Sequence, residues 1–171
     1  ESKTLGLWWE TSSDLLMFKF NQIDNMKITK RNILSQVAKI FDPLGLVGPV
    51  TVEAKLIIQK LWQLKTNWDE TITGELSTRW KEFLKEINNI VRIKVPIHAS
   101  HFTFQCFELH GFCDASQEAY GACIYLRTIC EDGSITSHLL CAKSRVAPLK
   151  SITLPRLELC GALLLAQLMQ K

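Results

Sequence analysis

The chain has 171 residues, 47% of them hydrophobic and 22% charged, with a formal net charge of +3. This composition is that of an ordinary folded chain and excludes a low-complexity sequence. No apolar run reaches the roughly 18 residues that a membrane span needs, so we predict no membrane segment. The first residue is Glu1 and no signal peptide is recognisable, so we interpret the sequence as an internal piece of a longer chain.

Residues 1–26 contain two runs of β-favouring, partly aromatic residues, TLGLWWE and LLMFKF. The turn-forming residues Thr11, Ser12, Ser13 and Asp14 separate them. The pattern predicts a β-hairpin and gives no sign of catalysis.

Residues 27–98 are predicted to be mainly helical. Apolar residues at helical spacing indicate one helix over 29–40 with Thr29 as its cap, and a second from about residue 49 to 64. The residues Asp42-Pro43-Leu44-Gly45 end the first helix. A third helix is predicted over 73–88 with Thr73 as its cap, followed by an extended lead and a boundary at about 98–100.

Basic residues are concentrated in the first two of these helices. Phosphate contacts and an ordinary solvated helical face are equally good explanations of this charge. The candidates for nucleic-acid binding are Lys27, Lys30, Arg31, Lys39, Lys55 and Lys60.

Residues 107–127, FELHGFCDASQEAYGACIYLR, predict two strands joined by a short turn over 115–118. A third strand is predicted over 137–146, and a helix begins at the sequence TLPRLEL, with Thr153 as its cap and Pro155 in its first turn. Short connections imply antiparallel neighbours. The helix is apolar almost all round, so we expect it to be covered on several sides.

Two carboxylates in this region can be interpreted in two ways. Asp114, at the end of an apolar strand, is either a turn residue bonded to its own backbone or a metal ligand. Glu158 is either an acid favoured by an early helical turn or a second carboxylate facing Asp114. The six cysteines include no C-x-x-C pair, and we predict free thiols and no zinc site.

A family resemblance favours the metal interpretation. The segments FCDAS, GA at 121–122 and LPRLEL at 154–159 resemble the start of a retroelement ribonuclease H domain. There, a DAS–GA strand pair supplies the first catalytic Asp and an RxEL helix supplies the catalytic Glu, the positions that Asp114 and Glu158 occupy. The upstream FDPLGL and KLW segments resemble the Pao/BEL class of LTR retrotransposon polyproteins.

The resemblance implies an α+β fold in three parts. Residues 1–26 would be a hairpin from the end of a polymerase palm, and residues 27–98 a helical thumb or connection segment. Residues 99–171 would be the N-terminal half of a ribonuclease H-like domain, a three-stranded antiparallel sheet with one helix.

The resemblance also implies an activity: hydrolysis of RNA in RNA–DNA hybrids by two-metal chemistry, with Mg²⁺ on Asp114 and Glu158. The family uses two further acids, which we expect beyond Lys171, so the chain alone should be inactive. The implied partners are an RNA–DNA hybrid or template–primer duplex and the rest of the polyprotein. The implied location is intracellular, in cytoplasmic retroelement particles or the nucleus.

Two alternatives stay open. One is a non-catalytic nucleic-acid-binding or structural segment of the same polyprotein. The other is an aspartic peptidase, since such segments are sometimes labelled Pao retrotransposon peptidase. That chemistry needs an Asp-Thr/Ser-Gly turn, and neither DAS at 114–116 nor DGS at 132–134 fits, so we disfavour it.

Overall fold

A computed structural model of the chain describes residues 2–4, 7–18, 27–90, 92–97 and 104–170. The chain forms two compact units, one made of Glu1–Asp42 with Pro49–Val95 and the other of Pro43–Gly48 with Pro96–Lys171. Helices and antiparallel sheets occur in an α+β arrangement, which confirms the predicted fold class. The predicted boundary at 98–100 lies outside the described residues.

The sheet of the first unit is larger than the predicted hairpin. Its strands are ordered β1 (Ser2–Thr4), β2 (Leu7–Glu10), β3 (Leu15–Met17) and β4 (Lys94–Pro96). The expected hairpin is the β2–β3 pair, in which Trp9 lies opposite Leu16. Asp14 closes its turn with a positive φ of 55°, and its carboxylate accepts a hydrogen bond from Trp9 Nε1 at 2.9 Å. The end of the LLMFKF run, at residues 19–20, lies outside the described residues.

The first unit also contains α1 (Lys30–Val37), α2 (Gly48–Gln63) and α3 (Glu75–Ile90). Thr29 caps α1 as predicted, because its side-chain oxygen accepts from the Asn32 N–H at 3.2 Å. The predicted cap of α3 is wrong by one residue. Gly74, whose φ is +73°, directly precedes Glu75, and its carbonyl accepts from the Thr78 N–H. Glycine adopts this left-handed conformation without steric cost, so Thr73 is not needed as the cap.

The core of the first unit lies between its helices. The Trp80 ring stacks on Phe83, with the ring centroids 5.3 Å apart, and Leu76, Ile87 and Ile90 of α3 are also buried. The largest fully buried side chains of α1 and α2 are Ile33, Ile57 and Leu61. Helix burial of this kind contributes most of the stability of such a unit.

The second unit has the predicted order of three strands and a helix. Its strands are β5 (Phe104–Ala115), β6 (Ala119–Cys130) and β7 (Ile135–Val146), antiparallel in that order, and its helix is α4 (Leu154–Met169). α4 packs on β5 and β6.

Thr153 is the N-cap residue of α4 as predicted, although its capping bonds differ from the usual ones, and the expectation that α4 is covered on several sides is not met among the described residues. The Thr153 side chain makes no capping bond, and its carbonyl instead accepts from the N–H groups of Arg156 and Leu157. Among the described residues α4 is covered on one side only. Leu157, Gly161 and Leu164 are buried there, whereas Leu159 and Leu163 on the opposite side are 70% and 59% exposed.

α1 ends at Val37, with Ala38 as its C-cap, before the residues Asp42-Pro43-Leu44-Gly45 that were predicted to stop it. The segment Pro43–Gly48 belongs to the second unit and packs against β7. The Ala142 N–H donates to the Leu44 carbonyl at 2.8 Å. Gly45 has a φ of +74°, and a β-carbon there would lie 1.8 Å from the Ala142 carbonyl oxygen. Only glycine fits this position without displacing backbone.

Candidate functional site

Asp114 is the second-last residue of β5 and pairs with Gly121 across the β5–β6 hairpin. Its side chain is exposed, and one carboxylate oxygen accepts from the N–H of Ala115 at 2.8 Å. Ser116 closes the turn, since its N–H donates to the Ala119 carbonyl at 2.8 Å. The turn predicted over 115–118 is therefore present, and its local hydrogen bonding involves one of the two Asp114 oxygens.

α4 contacts the same end of the sheet at Gly161. A β-carbon on Gly161 would lie 3.4 Å from the Asp114 carbonyl oxygen and 3.7 Å from that of Gly121. Further along, a β-carbon on Gly111 would meet Leu165. The helix therefore runs back along β5, with Gly161 over Asp114 and Leu165 over Gly111.

Glu158 lies three residues before Gly161, which is about 4.5 Å along the helix axis. Because α4 runs back along β5 from this end, Glu158 lies toward the end of the strand where Asp114 is found, and its side chain is exposed. Strand alternation places Cys113 on the α4 side and Asp114 on the other. Glu158 is thus in the helix layer, whereas the Asp114 side chain lies on the opposite face of the sheet, so the two acids share a strand end but do not face each other across the helix–sheet interface.

Neither carboxylate forms an ion pair with another described residue. Carboxylate oxygens are the ligands that Mg²⁺ prefers, so both side chains fit that ion chemically. Among the described residues, however, no group of three or more His, Cys, Asp or Glu side chains is arranged to hold a metal. Asp114 and Glu158 supply part of a ligand set.

The basic residues singled out in the sequence do not all lie on the surface. Lys30 is only 6% exposed, and its ammonium lies 3.8 Å from the centre of the Trp62 ring. It therefore cannot reach a phosphate backbone. Arg31 is exposed but forms a two-bond ion pair with Asp69, at 2.7 and 3.0 Å.

The other four lysines differ in position. Lys27, Lys39 and Lys55 are exposed and Lys60 is half-buried.

Glu53 forms an ion pair with Arg79 at 2.5 Å. The hydrogen bonds from Arg79, with a smaller contribution from the Lys60 charge, lower the pKa of the Glu53 carboxyl.

Sequence reasoning missed a polar cluster on the sheet face opposite α4. Arg127 and His110 both contact Glu108, at 2.6 and 3.0 Å, and lower the pKa of that carboxyl, Arg127 more strongly. Beside them Phe112 meets Tyr125 edge to face, with ring centroids 6.0 Å apart. Glu108 lies directly opposite Arg127 on the neighbouring strand. Pairing the two predicted strands residue by residue would therefore have identified this ion pair from the sequence.

All six cysteines are free thiols, as predicted. Burial raises the pKa of the Cys123 and Cys141 thiols. These thiols are therefore poorer nucleophiles than ordinary cysteines and poor candidates for a reactive site.

Comparison with known proteins gives one family. A family model described as "Pao retrotransposon-like RNaseH-like domain" matches residues 29–171. No curated protein and no solved structure matches the chain. Within the described residues, no helix combines the length and apolarity needed to cross a lipid bilayer.

Proposed function

Because the chain belongs to the Pao retrotransposon-like RNaseH-like domain family, we propose that it carries part of a nuclease centre acting on RNA in RNA–DNA hybrids. In this proposal Asp114 and Glu158 are carboxylate ligands of Mg²⁺ within a retrotransposon reverse transcriptase–ribonuclease H polyprotein. The supporting observation is the contact of Gly161 with the Asp114 backbone, which sets the Glu158 helix against the strand end that carries Asp114.

Each residue has a definite part in this proposal. The Asp114 oxygen that accepts from the Ala115 N–H is held in place by that bond, and the other oxygen is available to a cation. Glu158 adds a second negative charge near the same strand end. Bound Mg²⁺ would supply activation of water and stabilisation of the leaving oxygen in phosphodiester hydrolysis.

The first unit is proposed to be the end of the polymerase, with a palm hairpin followed by a thumb or connection segment. The antiparallel β2–β3 hairpin and the three helices support this division. Its exposed lysines would contact the phosphates of a template–primer duplex or hybrid. Such a polyprotein would act inside cells, in cytoplasmic particles or the nucleus.

Manganese binding tests the proposal directly, because Mn²⁺ replaces Mg²⁺ at carboxylate sites and broadens nearby NMR signals. We expect Mn²⁺ to broaden the amide signals around Asp114 and Glu158 in the 171-residue chain. Both Asp114→Asn and Glu158→Gln should abolish this effect. Glu118→Gln, an exposed acid in the neighbouring turn, is the matched control and should leave it unchanged.

A second candidate function is a non-catalytic structural or nucleic-acid-binding segment. It is favoured by the local hydrogen bond of Asp114 and by the lack of a third metal ligand among the described residues. Equal broadening in Asp114→Asn and in the unsubstituted chain would favour it over the nuclease proposal.

The aspartic peptidase alternative has less support. Asp132 accepts a hydrogen bond from the Ser134 N–H at 2.8 Å, an ordinary side-chain-closed turn between β6 and β7. Such a turn does not bring two aspartates together as peptidase chemistry requires.

A further inference from the structure

The first unit has a half-exposed aromatic pair that the nuclease proposal does not use. Trp62, near the end of α2, and Trp68, in the loop after it, are 50% and 46% exposed. Their ring centroids are 5.7 Å apart and the rings are nearly perpendicular, at 87°. The two rings thus form an open right-angled corner, which we call the tryptophan corner.

The buried Lys30 side chain contacts both rings of the tryptophan corner and holds them in position. The Lys30 ammonium lies 3.8 Å from the Trp62 ring centre and 5.4 Å from that of Trp68. Cation–π attraction holds both indoles in place. The backbone also joins the parts, since the Arg31 N–H donates to the Trp68 carbonyl at 3.1 Å. The rings are therefore positioned before any ligand arrives, which lowers the entropic cost of binding.

The surroundings of the corner carry exposed charges of both signs, the cations Lys27, Lys65 and Arg31 and the acids Asp69 and Glu70. Lys27 and Lys65 are exposed, and Arg31 lies 5.8 Å from the Trp68 ring centre while it holds Asp69. Lys65 adopts a φ of +46°, a left-handed conformation in which glycine is normally found just after a helix. A lysine there costs about 1 kcal/mol relative to glycine, so the position carries its charge at the expense of stability.

We propose that the tryptophan corner binds single-stranded nucleic acid, with an unpaired base stacked on the exposed part of an indole and the flanking phosphates near Lys27 and Lys65. Flat aromatic faces with nearby cations suit this ligand, because every unpaired base has a π-face and every nucleotide a negative phosphate. Bases inside a duplex are already stacked on each other, so a duplex offers the corner only its phosphates. The site uses residues of the first unit only and does not depend on the proposed role of Asp114 and Glu158.

Fluorescence anisotropy with a labelled oligothymidylate of about 15 nucleotides, long enough to cover one site, measures this binding without metal. We expect Trp62→Ala and Trp68→Ala each to weaken binding about fivefold or more, the equivalent of losing one stacked base. Trp62→Phe should retain most of the affinity. Phe41→Ala removes an equally exposed aromatic (50%) four residues after the end of α1 and should change the affinity less than twofold.

Lys65→Gly separates binding from folding. This change relieves the left-handed strain, so we expect a higher melting temperature together with weaker oligonucleotide binding. A structural role of the corner alone would leave affinity unchanged in all these variants that stay folded.

The proposal is overturned if the unsubstituted chain binds the oligothymidylate no more tightly than it binds a duplex of equal length. It is also overturned if the folded Trp62→Phe and Trp62→Ala variants both bind the oligothymidylate as tightly as the unsubstituted chain does. Asp114→Asn should bind the oligothymidylate normally. Absence of Mn²⁺ broadening in the unsubstituted chain, together with intact oligonucleotide binding, would count against the nuclease proposal alone. Intact Mn²⁺ broadening without oligonucleotide binding would count against the tryptophan corner alone.

Discussion

Gly161 of α4 lies against the backbone of Asp114 in β5, so close that a β-carbon at residue 161 would be 3.4 Å from the Asp114 carbonyl oxygen. Glycine inside a helix costs about 1 kcal/mol relative to alanine. At this distance a methyl group would still be in ordinary van der Waals contact, so the approach of α4 to the β5–β6 pair leaves room for alanine but not for a much larger side chain. The Gly161–Asp114 contact is therefore the structural link between the two acids that the sequence motif singled out.

The distance at Gly161 predicts different results for small and large side chains. A methyl group at 3.4 Å is in ordinary contact, so Gly161→Ala should be neutral or raise the free energy of unfolding by up to about 1 kcal/mol. Gly161→Leu must push α4 away from β5 and should lower the free energy of unfolding by about 1–3 kcal/mol. Urea denaturation measures both. Equal stability of the alanine and leucine variants would contradict the packing described here.

Gly45 should be far less tolerant than Gly161. Gly45→Ala combines an unfavourable φ of +74° with a β-carbon 1.8 Å from the Ala142 oxygen. Gly133→Ala is the matched control, because Gly133 has a φ of +80° but no atom within 4 Å of the added carbon. The control should lose about 1 kcal/mol from backbone strain. Gly45→Ala should lose clearly more, and thermal melting of both variants measures the difference. Identical losses would show that the Gly45–Ala142 contact adds nothing.

Much of the second unit was predictable because its signals are local. The alternation in residues 107–127, the short turns and Pro155 near the start of α4 fix the order of three strands and a helix. Asp114 and Glu158 were singled out from motifs, but the residues alone could not place them. They are brought toward one strand end by the packing of α4 on β5. The sequence of α4 does not indicate which of its faces packs on the sheet, because the helix is apolar almost all round.

The features that sequence reasoning missed depend on residues far apart in the chain. Lys30 reads as one more surface lysine until α1 and α2 pack together and Trp62 covers it. β4 was recognisable as an extended segment, but no local pattern joins it to a sheet more than 70 residues upstream. Gly45 was interpreted from the sequence only as part of a turn that ends a helix, and its close contact with Ala142 is visible only in the folded structure.

The Glu53–Arg79 ion pair predicts a pH dependence of stability. Hydrogen bonding from Arg79 lowers the pKa of Glu53 below its ordinary value of 4.5. The stabilisation is therefore fully present above about pH 4.5 and is lost as the pH falls through the lowered pKa of the folded state. The pair is only partly buried, so it contributes on the order of 1 kcal/mol. Glu53→Gln should lower stability at pH 7, and the loss should shrink as the pH falls below about 4.5 through the lowered pKa of the folded state. Glu86→Gln, an exposed acid on α3, is the control and should show no such change with pH.

The thiols should react in an order set by burial. Cys106 and Cys113 are exposed and Cys130 is buried. Burial raises the pKa of Cys123 and Cys141, so at pH 8 a smaller fraction of these thiols is in the reactive thiolate form than in an ordinary cysteine. With a thiol-specific reagent we expect fast labelling of Cys106 and Cys113 in the folded protein, and labelling of all six after unfolding. Fewer than six reactive thiols in the unfolded, unreduced protein would reveal a disulfide and contradict the prediction.

The 171-residue chain on its own should not cleave an RNA–DNA hybrid. Hydrolysis by two Mg²⁺ ions needs both ions held in a defined geometry, and Mg²⁺ demands near-octahedral oxygen coordination. Asp114 and Glu158 are two carboxylates, and no third His, Cys, Asp or Glu joins them in a metal site among the described residues. Weak binding of a single ion is what two exposed carboxylates can provide, so the chain should bind Mn²⁺ and still leave labelled hybrid RNA intact. Mg²⁺-dependent cleavage that disappears in both Asp114→Asn and Glu158→Gln but persists in Glu118→Gln would show that these two carboxylates suffice, and this prediction would then be wrong.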